Sequence, residues 1–279
     1  MKVSIIIPTY NEKDVLETCI ESLGEQTLND FEIIVVDDGS KDGTLEILKN
    51  LKRSLPNFKF IRQSHLGAGA ARNIGVSLSK GEILVFVDAD MTFDKDFLKN
   101  LVSPIMSGEA KGTFSKEEFV SNWNNIWARC WNVNEGWEEK SRHPRNYPDR
   151  QPVFRAILKS EFTKVGGFTP GGYDDDWSLN KKLGYEAVAA SNAIFYHKNP
   201  ANLIEVFQHA KWVGKRKYKL GFLGYLGGLV RASLPISLVV GLYKAIKNHL
   251  PTFIIFKIVY DFGIFVGILE FLITGRKSK

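Results

Sequence analysis

The sequence predicts an α/β fold, a mostly parallel sheet with helices on both faces, on three observations. Short β-branched runs alternate with stretches of helical periodicity through residues 1–90. The runs are apolar throughout, as strands buried on both faces require. Three of them end in polar clusters, at the place where such sheets hold their ligands.

Val3–Ile7 is the first apolar run and is followed by Pro8-Thr9-Tyr10-Asn11-Glu12. A run this short, with no small-residue cleavage site after it, reads as a first strand rather than a signal peptide. Helical periodicity covers Glu12 to Glu25, and Phe31–Val36 is the second strand, closed by Asp37-Asp38-Gly39-Ser40. A helix over Asp42–Ser54, a strand at Phe58–Arg62, a helix over Gly69–Leu78 and a strand at Ile83–Val87 complete the series. The order βαβαβαβ implies a parallel sheet.

Charge divides the chain. The net charge is +6 overall, yet residues 1–200 carry 25 Lys and Arg against 28 Asp and Glu, while residues 201–279 carry 12 against 3. The basic part is also the most apolar. That pairing points to an anionic membrane surface and away from nucleic acid, whose readers carry their positive stripe on the folded domain. Ala201–Lys219 reads as an amphipathic helix, and two apolar stretches follow, Gly221–Tyr243 and Pro251–Thr274. Each is long enough to span a bilayer, although Arg231, Pro235, Lys257, Asp261 and Glu270 interrupt them. A membrane-associated hairpin is the preferred reading, with helices lying in the interface as the alternative. Lys257 and Asp261 stand four residues apart and are expected to pair. The expected organisation is therefore a main domain over 1–200, an amphipathic interfacial helix over 201–220 and a helical hairpin over 221–279. Basic residues on both flanks place the main domain on the cytoplasmic side of the cell membrane. Cys19 and Cys130 fit no metal spacing and read as buried thiols.

The clusters carry chemistry. Asp88 and Asp90 follow a strand at i and i+2, an arrangement suited to Mg²⁺ or Mn²⁺ shared with a diphosphate. Asp38 is placed to accept from a base, and Pro8, Thr9 and Tyr10 offer a backbone edge and a ring. Asp42 and Thr44 equally read as a helix cap. His65 to Asn73 enters a helix through small residues, and its N–H groups and Arg72 are candidates to face phosphates. It is neither a Walker A loop nor a Rossmann fingerprint. The acids Asp174, Asp175 and Asp176 read either as dipole-favoured residues of a helix N-terminus or as a base for an acceptor hydroxyl. Trp123, Trp127 and Trp131 share one helical face, either as core or as an acceptor platform.

The segments Val3 to Glu12, Val35 to Ser40, Gly69 to Gly75 and Val87 to Asp90 together resemble family 2 glycosyltransferases of the GT-A fold. The opening is similar to that of the polyprenyl-phosphate and dolichol-phosphate sugar transferases. The resemblance covers about residues 1–200. It implies a GT-A nucleotide-diphospho-sugar transferase fold and inverting transfer from a UDP- or GDP-sugar to a membrane-associated, lipid-linked acceptor. Under it Pro8, Tyr10, Glu12, Val36 and Asp38 hold the nucleoside, Asp88 meets the ribose or the metal's water shell with Ala89 beside it, and Asp90 ligates the metal. Its base motif maps onto Asp175-Asp176, with Asp176 favoured as base and Asp174 and Trp177 near the acceptor. His197 stands where relatives place a histidine facing metal or diphosphate. Gln208-His209-Ala210-Lys211-Trp212 resembles the Gln-x-x-Arg-Trp motif of processive polysaccharide synthases, with Lys for Arg. Gln208 and Trp212 are accordingly acceptor candidates, and glycan extension stays open beside a lipid acceptor and a non-catalytic nucleotide-sugar binder.

Overall fold

The computed structural model describes residues 2–169, 175–216 and 218–275, and the side chains of 175 and 176 lie outside that description. Along the chain the elements are β1 (Val3–Thr9), α1 (Leu16–Gly24), β2 (Phe31–Asp37), α2 (Thr44–Ser54), β3 (Phe58–Arg62), α3 (Ala68–Leu78) and β4 (Ile83–Phe86). Then come β5 (Met91–Phe93), α4 (Phe97–Met106), β6 (Gly112–Ser115), β7 (Glu118–Val120), α5 (Ile126–Glu135), β8 (Arg150–Gln151) and β9 (Ala156–Leu158). The series continues with α6 (Lys159–Lys164), α7 (Asp175–Leu183), β10 (Ala187–Ala190), β11 (Phe195–His197), α8 (Leu203–Gly214), α9 (Gly221–Arg231), α10 (Leu234–Lys247) and α11 (Phe253–Thr274).

The chain forms two compact units. The first comprises Met1–Phe119 and Asn146–His197, the second Val120–Arg145 and Lys198–Ser278. The segment Val120–Arg145, expected within the main domain, thus clusters with the C-terminal helices.

In the first unit the main sheet has the order β3-β2-β1-β4-β9-β6-β10-β8. Strands β3, β2, β1 and β4 are mutually parallel. Beyond them β9 runs antiparallel between β4 and β6, β6 and β10 are parallel, and β8 runs antiparallel to β10, so the sheet is mixed, with six of its eight strands running the same way as expected of a mostly parallel sheet. The continuous apolar runs explain the layering. Ile5, Ile7, Val35 and Val85 face one side with Leu16, Ile20 and Leu98 of α1 and α4. Ile6, Leu84 and Phe86 face the other with Val76 of α3 and Phe162 of α6. A second, three-stranded sheet has the order β5-β11-β7.

Helix α3 lies close on the sheet because Gly75 lets it. A Cβ there would stand 2.5 Å from Cγ2 of Ile6.

The second unit is helical. Helix α5 starts at an Asn125 cap whose side chain accepts from the N–H groups of Trp127 and Ala128. Trp123 therefore precedes the helix, and the expected three-tryptophan face reduces to Trp127 and Trp131. Trp131 is core, with its ring edge-on to Phe256 and Tyr260. The expected hairpin is also changed. Gly221–Tyr243 is not one helix: α9 and α10 meet at a 61° bend. Pro235 in the first turn of α10 accounts for the break, since its ring excludes a continuing helix before it. Among the described residues no single helix is long and apolar enough to cross a membrane. Lys257 and Asp261 do pair, at 2.7 Å, and the second Asp261 oxygen accepts from Ser237 of α10. The charges on α11 thus face protein.

Gly75→Ala is expected to destabilise the chain by about 1–3 kcal/mol through overpacking. Combined with Ile6→Ala, which removes the obstructing methyl, the loss measured by urea denaturation should fall well short of the sum of the single losses. Additive losses would refute the contact.

Candidate active site

Strands β1, β2 and β4 are adjacent and parallel, so their carboxyl ends form one rim, and each end carries carboxylates. The β1 and β2 ends are stitched together locally. Asn11, with φ of 59°, donates its N–H to Ser40 Oγ and accepts from the Lys41 N–H. The Glu12 N–H donates to Thr44 Oγ1, and the Lys13 N–H to Asp42. Asp42 in turn accepts from the N–H and hydroxyl of Thr44, while the N-cap position of α2 itself is Gly43, which supplies no side-chain cap.

Asp38 is almost fully buried and anchors a loop. It accepts from Gln63 Nε2 and from the N–H groups of Leu66 and Gly67, at 2.6–2.9 Å. Nδ1 of His65 lies 2.8 Å from it. The loop runs close because Gly39, at φ of +86°, has no Cβ to meet Gln63 O and His65 N at 3.3 Å. Two expectations change as a result. The N–H groups of Leu66 and Gly67, expected to face phosphate, serve Asp38, and the oxygens of Asp38, expected to read a base, are engaged by the loop. What the loop presents outward is a ring. His65 stacks on Tyr10 with centroids 4.1 Å apart, and Tyr10 is exposed. Pro8 pairs with Val36 across β1 and β2. The Val36 side chain, Thr9 and Ala89 are buried, so these offer backbone rather than side chain to a ligand.

Asp88 and Asp90 part company. Strand β4 ends at Phe86, so the two acids occupy a turn rather than a continuing strand. Asp88 accepts from Arg72 at 2.7 Å and from Arg155 at 3.3 Å. Burial acts to raise its carboxyl, but Arg72 and then Arg155 outweigh burial and hold it well below the usual carboxylate range. Arg72 is thereby committed to Asp88 rather than presented as a phosphate ligand. Both guanidinium groups are seated over rings, Arg72 on Phe168 and Arg155 on Phe195.

Asp90 instead faces a histidine. His197 pairs with Met91 across β11 and β5, which brings its Nε2 to 2.8 Å from Asp90 Oδ2. Its Nδ1 lies 2.9 Å from Glu118 Oε1. Two carboxylates facing the two ring nitrogens require a donor at each, or a cation on one side. An Nδ1–H donated to Glu118 leaves Nε2 a lone pair on the Asp90 side, the usual arrangement behind a ligating histidine. Glu12 adds a third acid nearby. Burial first, then Asp90 and Asp88, push its carboxyl up to about 8, while His197 acts in the opposite sense. This donor set, hard oxygens plus one imidazole, suits Mg²⁺ or Mn²⁺. No group of three or more His, Cys, Asp or Glu among the described residues is arranged to hold a metal by itself. A cation here would complete its shell with ligand phosphates and water.

Arg155 and Glu118 are the site residues that sequence reasoning missed. Arg155 comes from the lead into the antiparallel β9, and Glu118 from β7. Neither sits in a recognisable cluster, and only the pairing of distant strands brings them in.

Of the remaining candidates, Asp175 and Asp176 open α7. Trp177 beside them is exposed. Asp174 lies outside the described residues. Gln208 and Trp212 are exposed residues of α8 in the second unit. There Lys211, in the motif position of the arginine, pairs with Glu270 at 2.7 Å.

Known proteins share this framework. A Bacillus spizizenii poly(ribitol-phosphate) beta-glucosyltransferase is 39% identical over 123 residues, which are 40% of this chain and 19% of that protein. The chain therefore spans about a fifth of that relative's length. Staphylococcus aureus TarS 1-349, solved with UDP-GlcNAc, superposes with a TM-score of 0.60 at 16% identity, covering 100% of this chain and 93% of the other. The mannosyltransferase PcManGT from Pyrobaculum calidifontis, solved with GDP-Man and Mn²⁺, gives 0.62 at 18% identity over 97% and 87%. These likenesses establish the GT-A fold. Residues 4–166, which hold every carboxylate of the rim described above, match the Glycosyl transferase family 2 profile, and the chain belongs to that family.

Proposed function

We propose that the chain transfers a sugar from a UDP- or GDP-sugar, with inversion at the anomeric carbon, to a lipid-linked acceptor, using Mg²⁺ or Mn²⁺ beside Asp90 and His197. One observation carries the reading: the Glu118–His197–Asp90 chain stands beside an arginine-held Asp88 at the carboxyl ends of parallel strands. Solved neighbours that bind UDP-GlcNAc, or GDP-Man with Mn²⁺, support a nucleotide-sugar donor and a divalent cation. The apolar, basic C-terminal segment supports a lipid-linked acceptor.

Each residue has a role in this reading. The Tyr10–His65 stack gives the base a flat surface, and the backbone at Pro8 and Thr9 gives it an edge. Asp88, fixed by two guanidinium groups, keeps lone pairs for a ribose hydroxyl. Asp90 and His197 would hold the cation, with Glu118 fixing the imidazole tautomer. When bound, the cation neutralises charge on the departing diphosphate. At the start of α7, Asp176 takes the proton from an acceptor hydroxyl.

The direct test is mass spectrometry of lipid extracts incubated with the protein, Mn²⁺ and a mixture of UDP- and GDP-sugars. A lipid gaining one sugar mass is expected. That product should vanish in Asp90→Ala and fall at least about 100-fold in Asp176→Asn, the range set by loss of a general base. Asp176→Asn at wild-type turnover would sink the base role, and a metal-independent product from Asp90→Ala would sink the cation site.

Glu118→Ala is expected to weaken Mn²⁺ affinity by about 10–100-fold, as loss of a carboxylate behind a ligating histidine does. Calorimetric titration of Mn²⁺ in the presence of UDP and of GDP measures this. Unchanged affinity would leave Glu118 with a purely structural role.

Glu12 also makes a pH prediction. Its carboxyl is raised to about 8 in the fold from an ordinary value near 4.5, so the folded chain holds a proton that the unfolded chain has released. Stability of the metal-free protein should therefore fall as pH rises from about 5 to 8. Glu12→Gln should flatten that dependence, and Mn²⁺ should restore stability at the upper end. Thermal melts across this range, with and without Mn²⁺, decide it.

A further inference from the structure

Helix α10 is built with its small residues inward and its large ones outward. Ser237, Gly241 and Ala245 are its buried positions, one turn apart. A Cβ on Gly241 would stand 3.3 Å from Ile254 Cα of α11. On the opposite side Leu238, Val239, Leu242 and Ile246 are exposed, Val239 at 69% and Ile246 at 67%. Helix α9 shares the apolar exposed side but not the small buried one. Phe222, Leu223, Leu226 and Val230 are exposed, Leu223 at 70%, and Tyr225 is its buried side chain. A helix facing water carries the reverse arrangement. Contiguous exposed apolar surface on this scale marks a binding face.

Length and charge identify what the face binds. With 11 and 14 residues, α9 and α10 are about 16 and 21 Å long, short of the ~30 Å hydrocarbon core of a bilayer. Only the two together have the length and composition of a span, and they are bent by 61° at their break, so a crossing would have to be a broken one. Arg216, Lys219, Arg231 and Lys247 are exposed around these helices. The acids in the same stretch are turned elsewhere. Glu205 accepts at the start of α8, Asp261 is buried against Lys257, and Glu270 is held by Lys211 and Lys215. None of the three is exposed. Glu135 of α5 is exposed and acts on Lys244 of α10, but the exposed charges on α9, on α10 and on the lead into α9 are all basic, the composition of a helix that lies in an anionic lipid interface.

We propose that α9 and α10 seat this protein on an anionic phospholipid surface as helices lying in its plane. Their leucines, valines and phenylalanine enter the acyl boundary, and Arg216, Lys219, Arg231 and Lys247 stand at phosphate level. The proposal takes up the interfacial alternative to the membrane-associated hairpin expected from hydropathy. It stands whether or not the acceptor is a lipid, because it concerns where the chain rests and not what it modifies.

The test is co-sedimentation of the full chain with vesicles of phosphatidylcholine alone and of phosphatidylcholine mixed with phosphatidylglycerol. Binding to the mixed vesicles is expected to be at least about tenfold tighter and to weaken with salt. The double variant Leu238→Glu/Leu242→Glu should lose at least about tenfold in affinity for the mixed vesicles, with its circular dichroism melt and its donor binding unchanged. Arg231→Glu/Lys247→Glu, which leaves the apolar stripe intact, should remove the preference for the anionic vesicles. Three results would overturn the proposal. One is vesicle binding that both variants retain at wild-type strength. Another is protein that stays in the membrane through alkaline carbonate extraction, which indicates a span. The third is self-association in vesicle-free buffer, abolished by the leucine variants, in a protein that binds no vesicles, which assigns the face to a second copy of the chain. Donor binding is read separately in vesicle-free buffer, so failure here and failure of the transferase reading remain distinct.

Discussion

Carboxylates crowded onto the end of a parallel sheet must find positive partners, and most of the first unit's architecture around the rim answers that demand. Charges brought this close out of water repel one another and resist ionisation. Each acid meets the demand differently. Asp37 accepts from the Ser40 N–H and has Arg62 at 3.3 Å. Asp38 draws a whole loop onto itself through backbone N–H groups. Asp88 takes two guanidinium groups, one from α3 and one from the lead into β9. Asp90 takes an imidazole backed by another carboxylate. Glu12 is instead pushed up, by burial first and then by Asp90 and Asp88, with His197 acting in the opposite sense.

The second unit meets a related constraint by burying charge as a matched set. Lys257 and Asp261 lie one turn apart on α11, and Ser237 on α10 takes the remaining carboxylate oxygen. Removing one partner of such a set leaves a buried charge uncompensated, typically at a cost of about 3–5 kcal/mol. The small residues of α10 allow the approach that makes the set possible. That same choice sends the large apolar residues outward, so internal packing and the exposed face are two consequences of one pattern.

Periodicity resolved the strands of the β1-to-β4 region to within two residues, although α1 begins at Leu16, four residues after its expected start at Glu12. Phe58–Arg62 has the expected bounds, and α3 and β4 differ from expectation by one residue at one end. Continuous apolar runs allow little else once both faces are buried. The antiparallel half was opaque, because β8 and β9 are two and three residues long and carry no period. Residues there reach the site only through strand order, which is why Arg155 and Glu118 could not be read from their neighbours. In the C-terminal part hydropathy registers how apolar Gly221–Tyr243 is, and residue identity and spacing mark Pro235 as an interruption and Lys257 with Asp261 as a pair, but the 61° bend between α9 and α10 needed the fold.

The Asp-x-Asp pair shows why spacing alone misassigns roles. As a pattern, Asp88 and Asp90 look equivalent, two ligands for one ion. In the fold, Asp88 already has two arginines, so its charge is compensated whatever else binds. On the other side Glu118 Oε1 and Asp90 Oδ2 face the two nitrogens of His197, and Asp90 and Asp88 both act to raise the Glu12 carboxyl. Asp88 belongs to the standing framework of the rim. Under the proposed function the response to metal, and to the negative charge a diphosphate brings with it, falls on Asp90 and the groups around it.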